Sequence, residues 1–122
     1  MYSEETISEL NRLNFEDIIW IIYATSTISN VYGNYFDKLY LKTNNQVFLN
    51  RANDIFEITL TITFFVYVYF FLRNYILYKR ASPEEKELHL IRVFGTILIL
   101  VGVVCLIYFQ TKKSTFGRTS AR

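Results

Sequence analysis

At 122 residues the chain is one domain, and with 52% hydrophobic and 18% aromatic residues it is more apolar than a soluble domain of that size needs to be. Its formal net charge of +2 calls for no nucleic-acid partner, and a single cysteine with a single histidine excludes an intrachain disulfide and a histidine or cysteine metal cluster. The apolar residues are gathered into long runs, so the first expected partner is a lipid bilayer.

Residues 1–13 read as an acidic N-terminal segment. Asn14-Phe15-Glu16-Asp17 then offers a helix cap, and the uncharged run from Ile18 to Phe36 predicts a first helix over about 15–33. Its second half is polar, with Thr25, Ser26, Thr27, Ser29, Asn30 and Asn34, so it would insert readily only beside stronger helices. A signal peptide fits less well, because the flanking residues are acidic and the apolar run Ile18 to Tyr23 is short.

Between Gly33 and Asn53, the residues Tyr35, Phe36, Leu39 and Tyr40 share one face of a short interfacial helix, and Asn44-Asn45 reads as a turn. The second helix is expected over 54–79. Asp54 and Glu57 have capping-box spacing, and Ile58 to Leu72 carries no charge. Such a helix is roughly 39 Å long at about 1.5 Å per residue, enough to cross about 30 Å of hydrocarbon. A third helix over 83–111 is announced by Ser82-Pro83-Glu84-Glu85 and carries the uncharged run Val93 to Thr111, closed by Lys112-Lys113. Residues 112–122 read as a basic, mobile tail.

These elements make an all-α integral membrane protein of two or three transmembrane helices, three preferred, in an up-down-up arrangement, with 14–111 as a single membrane domain. Two spans with an interfacial N-terminal helix is the second reading, and a soluble helical domain the third. With three spans, acids and bases meet on both membrane faces. Cross-helix ion pairs are therefore expected between Asp17 and Arg73 or Arg92, and between Glu57 and Lys112, although helix dipoles and snorkelling would place the same charges at the same ends. Basic residues divide six against seven between the two faces, which settles no orientation. Gly95 and Gly102, seven apart on the third helix, suggest a groove for helix packing, and the mid-membrane Tyr67 and Tyr69 need partners for their hydroxyls.

No phosphate loop, nucleophile elbow or HExxH helix is present in the sequence. The expectation is a non-enzyme without cofactor or metal: an accessory or interaction subunit of a membrane complex, or a membrane-bound protector, bound to lipid and to other membrane chains or to itself. The alternative is a homo-oligomeric pore. In size, span count and basic tail the chain resembles the holins, and Thr25 and Ser29 would then line the path.

Overall fold

A computed structural model of the chain describes the backbone of residues 2–120 and the side chains as far as Thr115. Three helices follow one another: α1 over Glu4–Thr43, α2 over Gln46–Arg80 and α3 over Lys86–Ser120. No strand occurs among the described residues.

The expected turn at Asn44-Asn45 is present, and its two asparagines do different jobs. Asn44 takes the left-handed conformation at φ 55°, tolerated by its short side chain, and its N–H donates to the Tyr40 carbonyl as the cap of α1. Asn45 then caps α2, its side-chain oxygen accepting from the Val47 N–H at 3.1 Å. At the second connection the Ser82 carbonyl accepts from both Glu85 and Lys86 N–H groups at 3.0 Å, which turns the chain past Pro83 into α3.

Several boundaries differ from those expected. The helix assigned to 15–33 starts at Glu4, capped by Ser3, whose hydroxyl accepts from the Thr6 N–H at 3.1 Å. Glu4 and Glu5 suit the positive end of the helix, and Arg12 meets Glu9 and Glu16 at spacings of three and four, so this charged segment propagates the helix instead of preceding it. Asn14 therefore caps nothing. The separate interfacial helix merges into the last turns of α1, because Gly33 continues the helix where it packs on α2. Asp54 likewise lies inside α2 and not at its start. The tail is helical along its backbone from Lys112 to Ser120, extending α3 beyond residue 111; Ala121 and Arg122 lie outside the described residues.

α2 is the centre of the bundle. Glu16 meets Arg73 and Gly33 meets Phe56, so α1 and α2 run antiparallel. Asn74 meets Thr96 and Asn53 meets Gln110, so α2 and α3 do too. Among the described residues α1 and α3 do not pack on one another, which leaves the bundle open between them.

Each outer helix faces α2 along a seam of period 3.5. On α1 a row of buried and half-buried positions takes in Arg12, Glu16, Ile19, Tyr23, Ser26, Asn30, Gly33 and Asp37; on α3 a like row takes in Val93, Thr96, Leu100, Val103, Ile107, Gln110 and Ser114. Alternate steps of three and four keep one face on a partner over many turns, the spacing of left-handed helix packing. The chemistry of the seam is inverted from that of a soluble bundle. Its buried members include Glu16, Asn53, Asn74 and Gln110, whereas Ile21, Phe65, Phe94 and Phe109 are each about 60% exposed.

Candidate functional site

The polar groups turned inward form three levels along the bundle. The richest lies where the N-terminal third of α1, the C-terminal part of α2 and the start of α3 meet.

At that level Glu16 of α1 is 4% exposed, and both its carboxylate oxygens are occupied. Arg73 Nη1 donates to Oε1 at 2.8 Å, the Tyr69 hydroxyl donates to Oε2 at 3.1 Å, and Arg12 Nη1 stands 3.7 Å from the same oxygen. The other edge of the Arg73 guanidinium donates twice to Asn74 Oδ1, at 3.2 and 2.9 Å. Asn74 Nδ2 donates in turn to the Thr96 hydroxyl at 2.7 Å, and that hydroxyl donates to the Arg92 carbonyl at 2.9 Å. One connected chain of hydrogen bonds thus runs from α1 through α2 to the backbone of α3. Aromatic rings floor it: Arg73 lies over Phe70 at 4.7 Å, and Phe70 stacks on Trp20 at 4.8 Å.

The middle level joins α1 to α2 alone. Thr59 donates to the Ser26 carbonyl at 3.1 Å and stands 3.4 Å from the Ser29 hydroxyl. Beyond it Gly33 lets the Phe56 ring approach so closely that an added Cβ would sit 2.6 Å from Cε1. The third level joins α2 to α3, where Gln110 Nε2 donates to Asn53 Oδ1 at 3.1 Å and reaches Ser114 Oγ at 3.4 Å.

The expected site residues divide accordingly. Arg73 does pair across helices, but with Glu16. Asp17 is one residue further, about 100° around the helix, and exposed. Arg92 turns to His89 Nδ1 at 2.8 Å along its own helix. Glu57 shares a small cleft with Gln110 and Thr111, yet Lys112 lies over its own helix's Tyr108 ring at 5.7 Å, and no ion pair among the described residues includes Asp17, Glu57 or Lys112. Tyr67 and Tyr69 both reach α1, through Tyr23 at 6.0 Å between ring centres and through Glu16. Gly95 and Gly102 stand off the seam with nothing within 4 Å of an added Cβ, because α3 turns its Val93 and Thr96 side toward α2; the glycine that packs is Gly33. Thr25 is exposed and donates to the Ile21 carbonyl at 2.8 Å, while Ser29 donates to the Ser26 carbonyl at 2.6 Å.

Sequence reasoning missed Glu16, Gly33, Asn53, Asn74, Thr96 and Gln110. A signal existed: Thr96, Val103 and Gln110 are seven apart, as are Asn53, Leu60, Tyr67 and Asn74. Chemically, a carboxylate whose oxygens are both held by donors is a fastener rather than a base. No protein-family model, no curated protein and no solved structure matches the chain, so its function is read from its own geometry.

Proposed function

We propose that the chain is an integral membrane protein whose three helices cross the bilayer up, down and up, and that it serves as a non-catalytic accessory subunit or protector of a larger membrane assembly. The observation that carries the membrane reading is the inversion of polarity. α2 and α3 are long and apolar enough to cross a membrane, yet only 17% of the most apolar stretch of each is buried, unlike the core helix of a soluble protein. Polar groups sheltered within the seam and large apolar side chains facing out are what a hydrocarbon solvent requires. α1 contacts α2 at Phe56 and at Arg73, on either side of the uncharged run Ile58 to Leu72. A helix fastened at both ends of a spanning segment crosses with it.

The accessory reading rests on what the outer faces offer. Arg73 with Glu16, Asn74 with Thr96 and Gln110 with Asn53 bond across the seam and so spend their polar groups on neighbouring helices rather than on a water path, and Thr25 and Ser29 spend their hydroxyls on backbone carbonyls. The far side of α3 is smooth and apolar, with two open glycines where another helix could lie close. The deciding measurement is the native mass of the full chain extracted from its own membrane in a mild detergent, with co-purifying chains identified. A stoichiometric complex with other chains is the expected result. A ring of this chain alone, with ion conductance abolished by Thr25→Leu and Ser29→Leu, would replace this reading with the pore.

A further inference from the structure

A cleft opens beside the Glu16 fastener, between the first turns of α1 and the last turns of α2. Ser8, Glu9 and Arg12 line it from α1; from α2, Arg73, Ile76, Leu77 and Arg80 share one helical face at steps of three and four. Its volume, about 370 Å³, lies within the range of small-molecule sites.

Charge and polarity within the cleft are unevenly satisfied. Three guanidiniums meet two carboxylates there, Glu9 at 2.6 Å from Arg12 Nη2 and Glu16 at 2.8 Å from Arg73 Nη1, so one positive charge is left over. Arg80 makes none of the ion pairs or cation–π contacts among the described residues, and Arg12 Nε is buried without a hydrogen-bond partner. The wall is apolar, and Leu72 and Ile76 continue it onto the outward surface, each about half exposed. Arg80 is seven residues beyond Arg73, roughly 10 Å further out along α2. On the membrane reading this places Arg80 at the headgroup level and the apolar wall alongside acyl chains.

We infer that this cleft binds one anionic phospholipid, its phosphate held by Arg80 and Arg12 and its chain lying along Leu72 and Ile76. A phosphodiester brings the single negative charge the cleft lacks, and guanidinium forks match its oxygens. The inference rests on the membrane reading. Its occupant is a lipid rather than free phosphate, because half the cleft is hydrocarbon with nothing to offer a bare anion.

The test is native mass spectrometry of the full chain in non-ionic detergent with equal amounts of phosphatidylglycerol and phosphatidylcholine. The expected result is one retained phosphatidylglycerol per chain, with the preference falling about five-fold on Arg80→Gln and again on Arg12→Gln, since each basic group near a membrane surface is worth about 1 kcal/mol. Lys112→Gln with Lys113→Gln, at the opposite end, should leave it unchanged. Among the described residues Arg80 bonds to no other helix, so its variant keeps the test informative if Arg12→Gln loosens α1. Equal retention of both lipids, an unchanged preference in Arg80→Gln, or equal loss in the Lys112 and Lys113 variant would overturn the assignment, as would displacement by inorganic phosphate. Release of the chain from its membrane by alkaline carbonate would instead sink the membrane reading; loss of lipid preference in a carbonate-resistant chain sinks the cleft alone.

Discussion

The two interfaces of α2 are built by opposite means. Toward α1 the contact includes an ion pair, a hydroxyl donating to backbone, stacked aromatic rings and a glycine pressed against a phenylalanine. Toward α3 it is a row of Val93, Leu100, Val103 and Ile107 with one amide-centred pin near each end, Asn74 to Thr96 and Asn53 to Gln110. α1 is the helix with too little hydropathy to be counted a membrane span by composition, and α3 the most apolar one. The helix that lipid would hold least firmly is thus the one held most elaborately by side-chain chemistry. On the proposed membrane reading, these polar contacts would compensate for insertion energy that the α1 sequence lacks.

If that contrast is right, the largest single loss should come from Glu16. Glu16→Ala leaves the Arg73 guanidinium without its carboxylate in a largely buried place, at a cost of about 3 kcal/mol. Asp17→Ala, one residue away and exposed, should be near neutral. Denaturant titration in mixed micelles reads both, and equal effects at the two positions would dissolve the distinction between the interfaces. Glu16→Gln combined with Arg73→Met should recover most of the loss, because a matched neutral pair leaves no stranded charge.

Next in size is Gly33→Val, which drives Cβ and its methyls into the Phe56 ring and should cost about 1–3 kcal/mol by overpacking. A second change, Phe56→Ala, should relieve part of it, and limited proteolysis within α1 offers an independent readout of its detachment. On the other interface Thr96→Val removes one pin and should cost only about 1 kcal/mol, the usual scale of a hydrogen bond between membrane helices. A loss there as large as that of Glu16→Ala would mean that α3 depends on its pins as much as α1 does. Smallest of all, Gly95→Ala and Gly102→Ala meet open space and should stay within about 0.5 kcal/mol for the isolated chain. The same two variants should weaken co-purification of a partner if the outer face of α3 is where it docks.

Much of the architecture is legible without coordinates. The helical character, the Asn44-Asn45 turn and a break at Ser82-Pro83 follow from local chemistry, since left-handed backbone tolerance and capping act within a few residues, although α3 begins at Lys86 and not at Pro83. The start of α1 was not legible. Asn14 has the right side chain for a cap, but Ser3 and the Glu9, Arg12, Glu16 ladder supply an earlier start whose advantage is summed over several turns. The choice between Glu16 and Asp17 as the partner of Arg73 turns on about 100° of helix rotation, which adjacent acids in a sequence do not reveal. The seam itself escaped because apolar periodicity was the wrong quantity to follow: in a chain that turns its polar groups inward, Glu16, Ser26 and Gly33 on α1 mark the buried face.

The sequence by itself determined that the chain is helical, that it turns at Asn44-Asn45, and that its second and third helices carry long apolar runs, because these depend on local propensity and on stretches without charge. Only the tertiary structure decided which face of each helix meets α2, which acid neutralises Arg73 and which glycine admits a neighbour. Those choices depend on helix rotation and register, which are set jointly by two interfaces along the whole of α2 and by no stretch of sequence alone.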